Sequence, residues 1–333
     1  LKLTERMDFS AKRNKSAQAL QVQDVTLRDG HVSLFSTRGR TKSIIRHARL
    51  LDRVGFQAIE ILRPTTPELI ERNTEDYSWK KIRTIKKYTP ATPLSVLLHS
   101  GTTTPADTVN EFTEKAAANG IENFRLFNPA NDVETLSRPV DIIKKHDKHF
   151  QGVLCYYISG LKLGTGTYTI DYYLNKAAAL EKMGADSISI QDLSGYLSPY
   201  DAYNLVKALK EEISLPLHLS THFSTGMGDL ALLKAIEAGV DSVDTCMSPF
   251  AYRTSLPALE PLVITLMGTN RDTGFDLDNL VEISEEMEKY TADHKHLIDY
   301  SKISISGLNS LRDLHHQKES GDSHIAEEIF LSQ

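Results

Sequence analysis

One unit recurs along the chain, and it limits the fold more than any other feature. A helix-like stretch ends at a glycine, and a short apolar run follows it. The clearest copies are RHARLLDRVG-FQAIEI, EFTEKAAANG-IENFRLF, KAAALEKMG-ADSISI and LLKAIEAG-VDSVDT. Their glycines, Gly55, Gly120, Gly184 and Gly239, stand where a helix C-cap needs a positive φ, which glycine adopts without Cβ strain. The runs are almost continuously hydrophobic, which is typical of strands buried on both faces of a parallel sheet.

The number of these units predicts the architecture. The apolar runs lie near residues 22–26, 57–61, 94–98, 123–127, 152–157, 187–191, 217–222 and 242–246. Helix-compatible stretches follow them and begin near residues 41, 74, 106, 133, 170, 198, 228 and 256. Eight alternating units within about 250 residues predict an α/β fold, the (β/α)8 or TIM barrel. A doubly wound sheet competes, but eight units is high for it and no GxGxxG opens the first helix.

The segments outside the barrel differ from it in composition. Residues 1–20 are polar and basic, and we expect them to form an N-terminal arm. The barrel is predicted to occupy residues 21–270. Residues 271–333 read as helices with few large apolar side chains, so we expect a C-terminal helical extension. This extension should pack beside the barrel or against another subunit rather than fold alone.

Charge and hydropathy exclude several classes of protein. The 38 basic and 44 acidic residues give a net charge of −6, which argues against generic nucleic-acid binding. No apolar run reaches the roughly 18–20 residues that span a bilayer, and the first residues lack the apolar core of a signal peptide. Two cysteines are too few for a disulfide framework. We therefore expect a cytoplasmic protein.

Polar residues are concentrated where such a barrel carries its active site. Active sites of this fold lie at the C-terminal ends of the strands, and polar or charged groups end seven of the eight predicted strands. The candidates are Arg28, Asp29, His31, Arg63, His99, Asn128, Asn131, Gln191, Asp192, Ser220, His222, Cys246 and Arg253. Their convergence above the barrel predicts a functional site.

Several of these candidates also have a purely structural interpretation. Asn131 and Asp192 are as compatible with a structural role, as a helix cap or in a turn, as with a functional one. His218 shares a strand face with Ser220 and His222 but lies deeper, so we interpret it as a hydrogen-bonded core histidine. Cys246 fits a small buried apolar group better than a nucleophile.

The segment VTLRDGHVSLFSTRGR resembles the TLRDGHQSLxATRxR segment of the biotin-dependent carboxyltransferase barrels. This family includes the carboxyltransferase domain of pyruvate carboxylase, the oxaloacetate decarboxylase α subunit and the keto-acid subunit of transcarboxylase. The isopropylmalate synthase and hydroxymethylglutaryl-CoA lyase barrels are more distant relatives. The resemblance continues through EKAAANGIENFRLFNPANDV, MGADSISIQDLSGYLSP and LHLSTHFSTG, and covers roughly residues 22–285.

The resemblance implies a divalent metal held by four groups, and this chain lacks two of them. The family uses an Asp after strand 1, a carbamylated Lys at strand 6 and two His at strand 7. Asp29 and His222 match, but Gln191 stands at the lysine position and Ser220 at the first histidine position. One carboxylate and one imidazole are a weak site for Zn²⁺ or Mn²⁺. We therefore expect no tightly bound metal, with Asp29, Gln191, Ser220 and His222 as vestigial positions.

The substrate positions depart from the family as well. The residues expected to contact substrate are His31, Arg63, His99, Asn128 and Arg253. Arg63 and Arg253 stand where the family has small residues, and guanidinium groups bind carboxylates in a bidentate manner. Each of these two arginines is equally compatible with a surface ion pair. An anionic carboxylate remains the expected ligand, held differently from pyruvate.

The resemblance predicts a divergent carboxyltransferase or decarboxylase that acts on a 2-oxo acid through an enolate. Arg28 and Arg253 would anchor carboxylates, and Asp29 and His222 would handle protons or a weak metal. A protonated His or Arg would replace the lost metal as the group that stabilises the enolate. Gln191 and Ser220 would hydrogen-bond the substrate carbonyl. Two alternatives remain open, a non-catalytic subunit for ligand binding or assembly and an aldolase-like carbon–carbon lyase.

Partners are expected by resemblance only. The carboxyl donor would be carboxybiotin on a separate carrier protein, because no biotin-carrier motif such as AMKM occurs in the sequence. Family members are commonly dimers, so a homodimer is expected.

Overall fold

Eight parallel strands close into a barrel in sequence order, with β1 paired to β8. The computed structural model describes residues 18–35, 41–64, 76–100, 105–158, 163 and 166–298. The strands are β1 (Gln21–Asp24), β2 (Ala58–Leu62), β3 (Leu94–His99), β4 (Asn123–Phe127), β5 (His149–Cys155), β6 (Ser187–Asp192), β7 (Leu217–Thr221) and β8 (Ser242–Thr245). The predicted TIM barrel is confirmed.

Helices follow the strands and surround the barrel. They are α1 (His31–Phe35), α2 (Thr41–Leu51), α3 (Asp76–Tyr88), α4 (Ala106–Ala118), α5 (Ser137–Lys145), α6 (Ile170–Lys182), α7 (Pro199–Glu212), α8 (Gly228–Glu237), α9 (Leu259–Leu266) and α10 (Leu277–Asp293). The four glycines of the repeating unit have φ between +93° and +104°, as their cap positions require. No helix in the described part of the chain is both long and apolar enough to cross a membrane.

Two strands, β1 and β5, differ by more than one residue from the apolar runs in their bounds. β5 begins at His149, earlier than the run near 152–157, because His149 pairs with Asn123 on the neighbouring strand β4. β1 ends at Asp24, because the chain then turns into a single wide helical turn, Thr26–Gly30. In this turn the backbone N–H of Gly30 donates to the carbonyl of Val25. Such wide turns are frequent at functional sites.

The beginning of the predicted C-terminal extension packs on the barrel. Leu280, Ile283 and Met287 of α10 are fully buried in the same apolar core as the barrel helices. Arg46 of α2 also forms an ion pair with Glu286 of α10. The predicted helices beyond residue 298 and most of the predicted N-terminal arm lie outside the described residues.

The barrel interior holds a chain of buried ion pairs. Arg125 Nη1 on β4 donates to Glu60 Oε2 on β2 at 2.7 Å and to Asp244 Oδ2 on β8 at 2.8 Å. Arg28 Nε donates to Glu60 Oε1 at 2.6 Å. His218 Nε2 lies 2.8 Å from Asp244 Oδ1, so the interpretation of His218 as a hydrogen-bonded core histidine is confirmed. Buried charges need such partners, since an unpaired one is costly to desolvate.

We expect Arg125→Leu to lower the free energy of unfolding by about 3–5 kcal/mol, because it removes the guanidinium that Glu60 and Asp244 share in the barrel interior. Urea unfolding followed by circular dichroism measures this loss. The matched control is Lys115→Ala, which removes an exposed ion pair with Glu111 on α4 and should cost less than about 1 kcal/mol. Equal losses in the two variants would contradict a structural role for the buried chain.

Candidate active site

Arg28 and Asp29 lie side by side on the wide turn after β1. Arg28 Nη1 donates to Asp29 Oδ2 at 2.5 Å, and both side chains are more than nine-tenths buried. Asp29 Oδ1 accepts hydrogen bonds from Ser255 Oγ at 2.9 Å and Ser33 Oγ at 3.2 Å. Burial raises the pKa of the Asp29 carboxyl, but Arg28, His222 and these hydroxyls outweigh burial and hold it below its ordinary value. Asp29 is therefore an ionised, tightly oriented carboxylate.

His222, directly after β7, faces the same carboxylate. Its Nδ1 lies 2.8 Å from the carbonyl oxygen of Thr254, an acceptor that requires the proton to be on Nδ1. Its Nε2 is 3.7 Å from Asp29 Oδ2. This Nε2 is buried and has no hydrogen-bond partner among the residues that the structure describes. In the neutral ring it carries a lone pair directed into the site.

Gly195, in the loop after β6, fixes the backbone of His222. Gly195 has φ +70°, and a Cβ there would lie 2.8 Å from the His222 carbonyl oxygen. Only glycine fits both the conformation and the contact. The loop after β6 therefore packs directly against the end of β7.

Gln191 and Ser220 occupy the two altered ligand positions and bond to each other. Gln191 Nε2 donates to Ser220 Oγ at 2.9 Å, and Gln191 Oε1 accepts from Arg125 Nη2 at 3.4 Å. The position of the anionic ligand is therefore taken by a neutral amide whose oxygen and nitrogen are both hydrogen-bonded within the barrel. The Asp29 oxygen nearest His222 is likewise already paired with Arg28.

These contacts do not fit a four-ligand metal site. The donor set offers one carboxylate and one imidazole, and the other two positions are neutral groups bonded to each other. Among the described residues no three His, Cys, Asp or Glu side chains cluster as metal ligands would. A divalent ion of the expected kind would lack half of its coordination shell.

A second cation lies above the opposite half of the barrel. The Arg63 guanidinium stands over the ring of Phe127, 5.6 Å from its centroid. Burial and the nearby Arg28 guanidinium both lower the pKa of Arg63, so the two positive charges lie near each other. His99 lies beside them, its ring 6.0 Å from that of Phe127, and burial and Arg63 lower its pKa. An anion between Arg28 and Arg63 would relieve their repulsion.

Apolar side chains form the wall below Arg63. Leu97, Phe127, Val153, Cys155 and Tyr157 make one buried cluster at the upper ends of β3, β4 and β5. Burial raises the pKa of the Cys155 thiol to about 12, so this sulfur stays protonated. The mouth thus has a charged half, formed by β1, β6 and β7, and an apolar half.

The chain after β8 makes a tight turn at residues 252–255, which we name the rim turn. Tyr252 and Arg253 both have left-handed backbones, with φ +68° and +56°. Arg253 is exposed on this turn, so the structure places it at the rim and not among the buried site residues. Cys246 is buried with its Sγ 3.3 Å from Ser255 Oγ, and burial keeps its pKa far above the ordinary value. It is a small buried thiol, as the sequence indicates.

His31 is not part of the site. Its ring stacks on Phe250 at 4.5 Å between centroids, and its Nε2 lies 3.1 Å from His47 Nδ1. The next ring along is Tyr290 of α10. Burial lowers the pKa of His31 to about 3, so it is a neutral core side chain. The prediction that His31 contacts substrate is therefore corrected, because its side chain is turned towards the helix layer.

Asn128 also differs from its expected role as a substrate contact. Its Oδ1 accepts from the backbone N–H of Ala130 at 2.8 Å, and its Nδ2 donates to the Ser100 carbonyl at 2.8 Å. The side chain thus closes the turn after β4. The prediction that Asn128 contacts substrate is therefore corrected, because its amide oxygen and its amide nitrogen both hydrogen-bond to backbone groups.

Two residues with open interpretations prove to be turn formers. Asn131 bonds the backbone N–H and carbonyl of Cys155, each at 2.8 Å. Asp192 accepts from the backbone N–H groups of Tyr196 and Leu197, and burial raises its pKa. Both residues shape loops around the mouth.

Sequence reasoning missed the groups that support the site. Glu60, Arg125 and Asp244 interrupt the apolar runs AIEI, FRLF and SVDT, and a charge inside a buried strand was a usable signal. No sequence signal marks Ser255 or the Thr254 carbonyl, which depend on the course of the rim turn.

Comparisons with known proteins agree with this architecture. A sequence model of the HMGL-like family matches residues 19–287. A pyruvate carboxylase subunit of Methanocaldococcus jannaschii is 40% identical over 290 residues, covering 86% of this chain and 50% of that protein. The methylmalonyl-CoA carboxyltransferase 5S subunit of Propionibacterium freudenreichii subsp. shermanii is 31% identical, covering 87% of this chain and 57% of its own.

Solved structures give the same result. The carboxyl transferase domain of Rhizobium etli pyruvate carboxylase superposes with a TM-score of 0.74 at 33% identity, covering 81% of this chain and 47% of that one. The chain spans about half the length of the curated pyruvate carboxylase subunits that it matches. On the length of the family match and the identity to these relatives, the chain belongs to the HMGL-like family.

Proposed function

We propose that this chain is the catalytic barrel of a carboxyltransferase or decarboxylase that acts on a 2-oxo acid through an enolate, without a tightly bound metal. The observation that carries the proposal is His222. Its Nε2 is buried, directed into the site and without a partner among the described residues, while the Thr254 carbonyl holds the proton on Nδ1. A neutral imidazole in this state is a general base.

The acid–base pair accounts for proton movement at C3 of the substrate. In carboxylation, His222 Nε2 takes a proton from C3, and the C–H electrons move into the C2–C3 bond while the carbonyl oxygen becomes the enolate oxygen. C3 then bonds to the carboxyl carbon of carboxybiotin as the carbonyl re-forms, the N–C bond of carboxybiotin breaks, and the released biotin nitrogen takes up the proton held on His222. The resulting imidazolium lies 3.7 Å from ionised Asp29, which stabilises its charge. In decarboxylation the C3–C4 bond breaks, CO2 leaves, and the imidazolium returns a proton to C3.

Fixed cations stabilise the enolate in place of a Lewis acid. Arg63 and Arg28 lie near each other, and their charges do not need to reorganise when the oxygen becomes negative. Gln191 Nε2 has two protons, of which one goes to Ser220; we assign the other to the substrate carbonyl. Ser220 then acts through Gln191, and His99 lies beside Arg63.

The relatives support a proposal for the carboxyl donor. One relative is a methylmalonyl-CoA carboxyltransferase subunit and others are pyruvate carboxylase subunits, which supports carboxybiotin on a separate carrier protein as donor and acceptor of the carboxyl group. The loop after β6 packs against His222. We propose that carboxybiotin approaches the site along this loop. We also propose a homodimer, which light scattering tests.

The two alternatives share this geometry and differ in outcome. An aldolase-like lyase would use the same enolate but would cleave a bond to an aldehyde or ketone carbon instead of a carboxylate. A non-catalytic subunit would hold a 2-oxo acid and turn over none. The bonded Gln191–Ser220 pair is the observation that favours it.

Oxaloacetate decarboxylation in the presence of EDTA, with and without free biotin, tests the acid–base pair. We expect His222→Gln and Asp29→Asn to lower kcat by about 10²–10⁴-fold, the usual contribution of a positioned proton-transfer group. His296→Gln, at an exposed histidine, is the matched control and should leave the rate unchanged. Unchanged rates in both site variants would place the chemistry elsewhere. Binding of 2-oxo acids without any turnover would support the non-catalytic alternative.

Metal content tests the altered ligand set. Elemental analysis of protein purified without chelator should find well under one Zn, Mn or Co per chain, because only two ligating side chains are present. The double variant Gln191→Lys/Ser220→His restores the residue types of the family and should gain metal. Full occupancy in the unaltered protein would contradict the proposal.

Substrate affinity distinguishes the two arginines. Arg63→Gln should raise KM by about 10- to 100-fold, because a charge-assisted hydrogen bond to the carboxylate is lost from a partly buried setting. Arg253→Gln should raise KM by about fivefold or less, since its guanidinium is exposed and screened. A larger effect at Arg253 would move the carboxylate site to the rim.

A further inference from the structure

The rim turn contacts both members of the proposed acid–base pair. Ser255 Oγ donates to Asp29 Oδ1 at 2.9 Å, and the neighbouring Thr254 carbonyl accepts from His222 Nδ1 at 2.8 Å. Asp29 follows β1 and His222 follows β7, so the turn after β8 reaches the strand ends on both sides of it. Two adjacent residues thus orient two groups that are far apart in sequence.

The rim turn holds an unfavourable backbone conformation to make these contacts. Left-handed backbones are disfavoured for residues with a Cβ, and Tyr252 and Arg253 adopt them in succession. Three backbone hydrogen bonds of 2.8 Å keep the turn in place. They run from Tyr252 N to the Leu256 carbonyl, from Ser255 N to the Tyr252 carbonyl, and from Phe223 N to the Ser255 carbonyl. The last of them ties the turn to the residue that follows His222.

The side chains of the turn add a further restraint. The Tyr252 ring packs edge-on against Phe223, with 4.8 Å between ring centroids. Cys246 Sγ lies 3.3 Å from Ser255 Oγ, and the Ser255 hydroxyl proton is directed at the Asp29 carboxylate. The turn is therefore anchored at β7 and at β8 together.

We infer that the rim turn is the positioning device of the site: its Thr254 carbonyl selects the His222 tautomer with the lone pair on Nε2, and its Ser255 hydroxyl orients Asp29 towards that nitrogen. This inference rests on the proposed function for the identity of the reacting groups, but not for the geometry. Ser255 and Thr254 are positioning residues, since they act through Asp29 and His222. Without the carbonyl, the ring would be able to place its proton on Nε2, and the base would be lost.

Nitrogen-15 NMR of histidine-labelled protein tests the tautomer without any substrate. In the unaltered chain His222 should show a protonated Nδ1 and an unprotonated Nε2. Tyr252→Gly keeps the left-handed turn, because glycine adopts this φ readily, and should retain that pattern. Tyr252→Val forces a β-branched residue out of the left-handed region and should shift His222 towards the Nε2-protonated form. The inference is overturned if the Val variant keeps the pattern of the unaltered protein.

Kinetics of Ser255 variants test the second contact. Ser255→Ala should lower kcat about 10- to 100-fold with KM changed less than about twofold, as expected when a hydrogen bond to a catalytic carboxylate is lost. Ser255→Thr retains the hydroxyl and should recover most of the rate. An alanine variant that raises KM alone, or a threonine variant as slow as alanine, would contradict the inference.

The two hypotheses fail in different ways. If the tautomer responds to Tyr252 as stated but no 2-oxo acid is turned over, the positioning device stands and the proposed function is wrong. If turnover occurs but the tautomer is insensitive to Tyr252→Val, the proposed function stands and the positioning inference is wrong.

Discussion

The chain of buried ion pairs through the barrel is the constraint on which the site depends. Arg28 bonds both Asp29 at the mouth and Glu60 inside the barrel, and Glu60 is shared with Arg125. Because each charge is buried, none of these side chains can rotate away without leaving its partner unpaired. Arg125 also reaches Gln191. The side chains at the barrel mouth are thus oriented by ion pairs deeper in the barrel. These contacts make the mouth rigid.

Under the proposed function, this rigidity lets the altered site keep its shape without a bound metal. A four-ligand metal site holds its residues together through the ion. Here Gln191 and Ser220 hold each other, while Asp29 is held by Arg28 and by the Ser255 hydroxyl. In the proposed chemistry, guanidinium groups fixed to the barrel wall supply the positive charge that a metal would otherwise provide.

Local patterns determine what the sequence predicts and what it does not. The barrel could be predicted because each glycine-terminated helix and each buried strand leaves a local pattern in the sequence. The order of the strands in the barrel then follows their order in the chain. Arg28, Asp29, Gln191, Ser220 and His222 were readable because they end strands that meet at one edge. His31 was not, because its position two residues after Asp29 places it on the first turn of α1, where the helix directs it towards Phe250. Ser255 depends on two left-handed residues that no propensity indicates.

The barrel mouth has a charged half and an apolar half, and this difference affects the lifetime of a carbanion formed there. One side presents fixed charges, and the other has an apolar wall below Arg63, formed by Leu97, Phe127, Val153, Cys155 and Tyr157. The Cys155 thiol in this wall has a pKa of about 12, and the Tyr157 hydroxyl donates its proton to the Pro129 carbonyl. The wall also has few groups that would order solvent. A carbon nucleophile with its reactive face on that side would be shielded from premature quenching and would persist until an electrophile arrived.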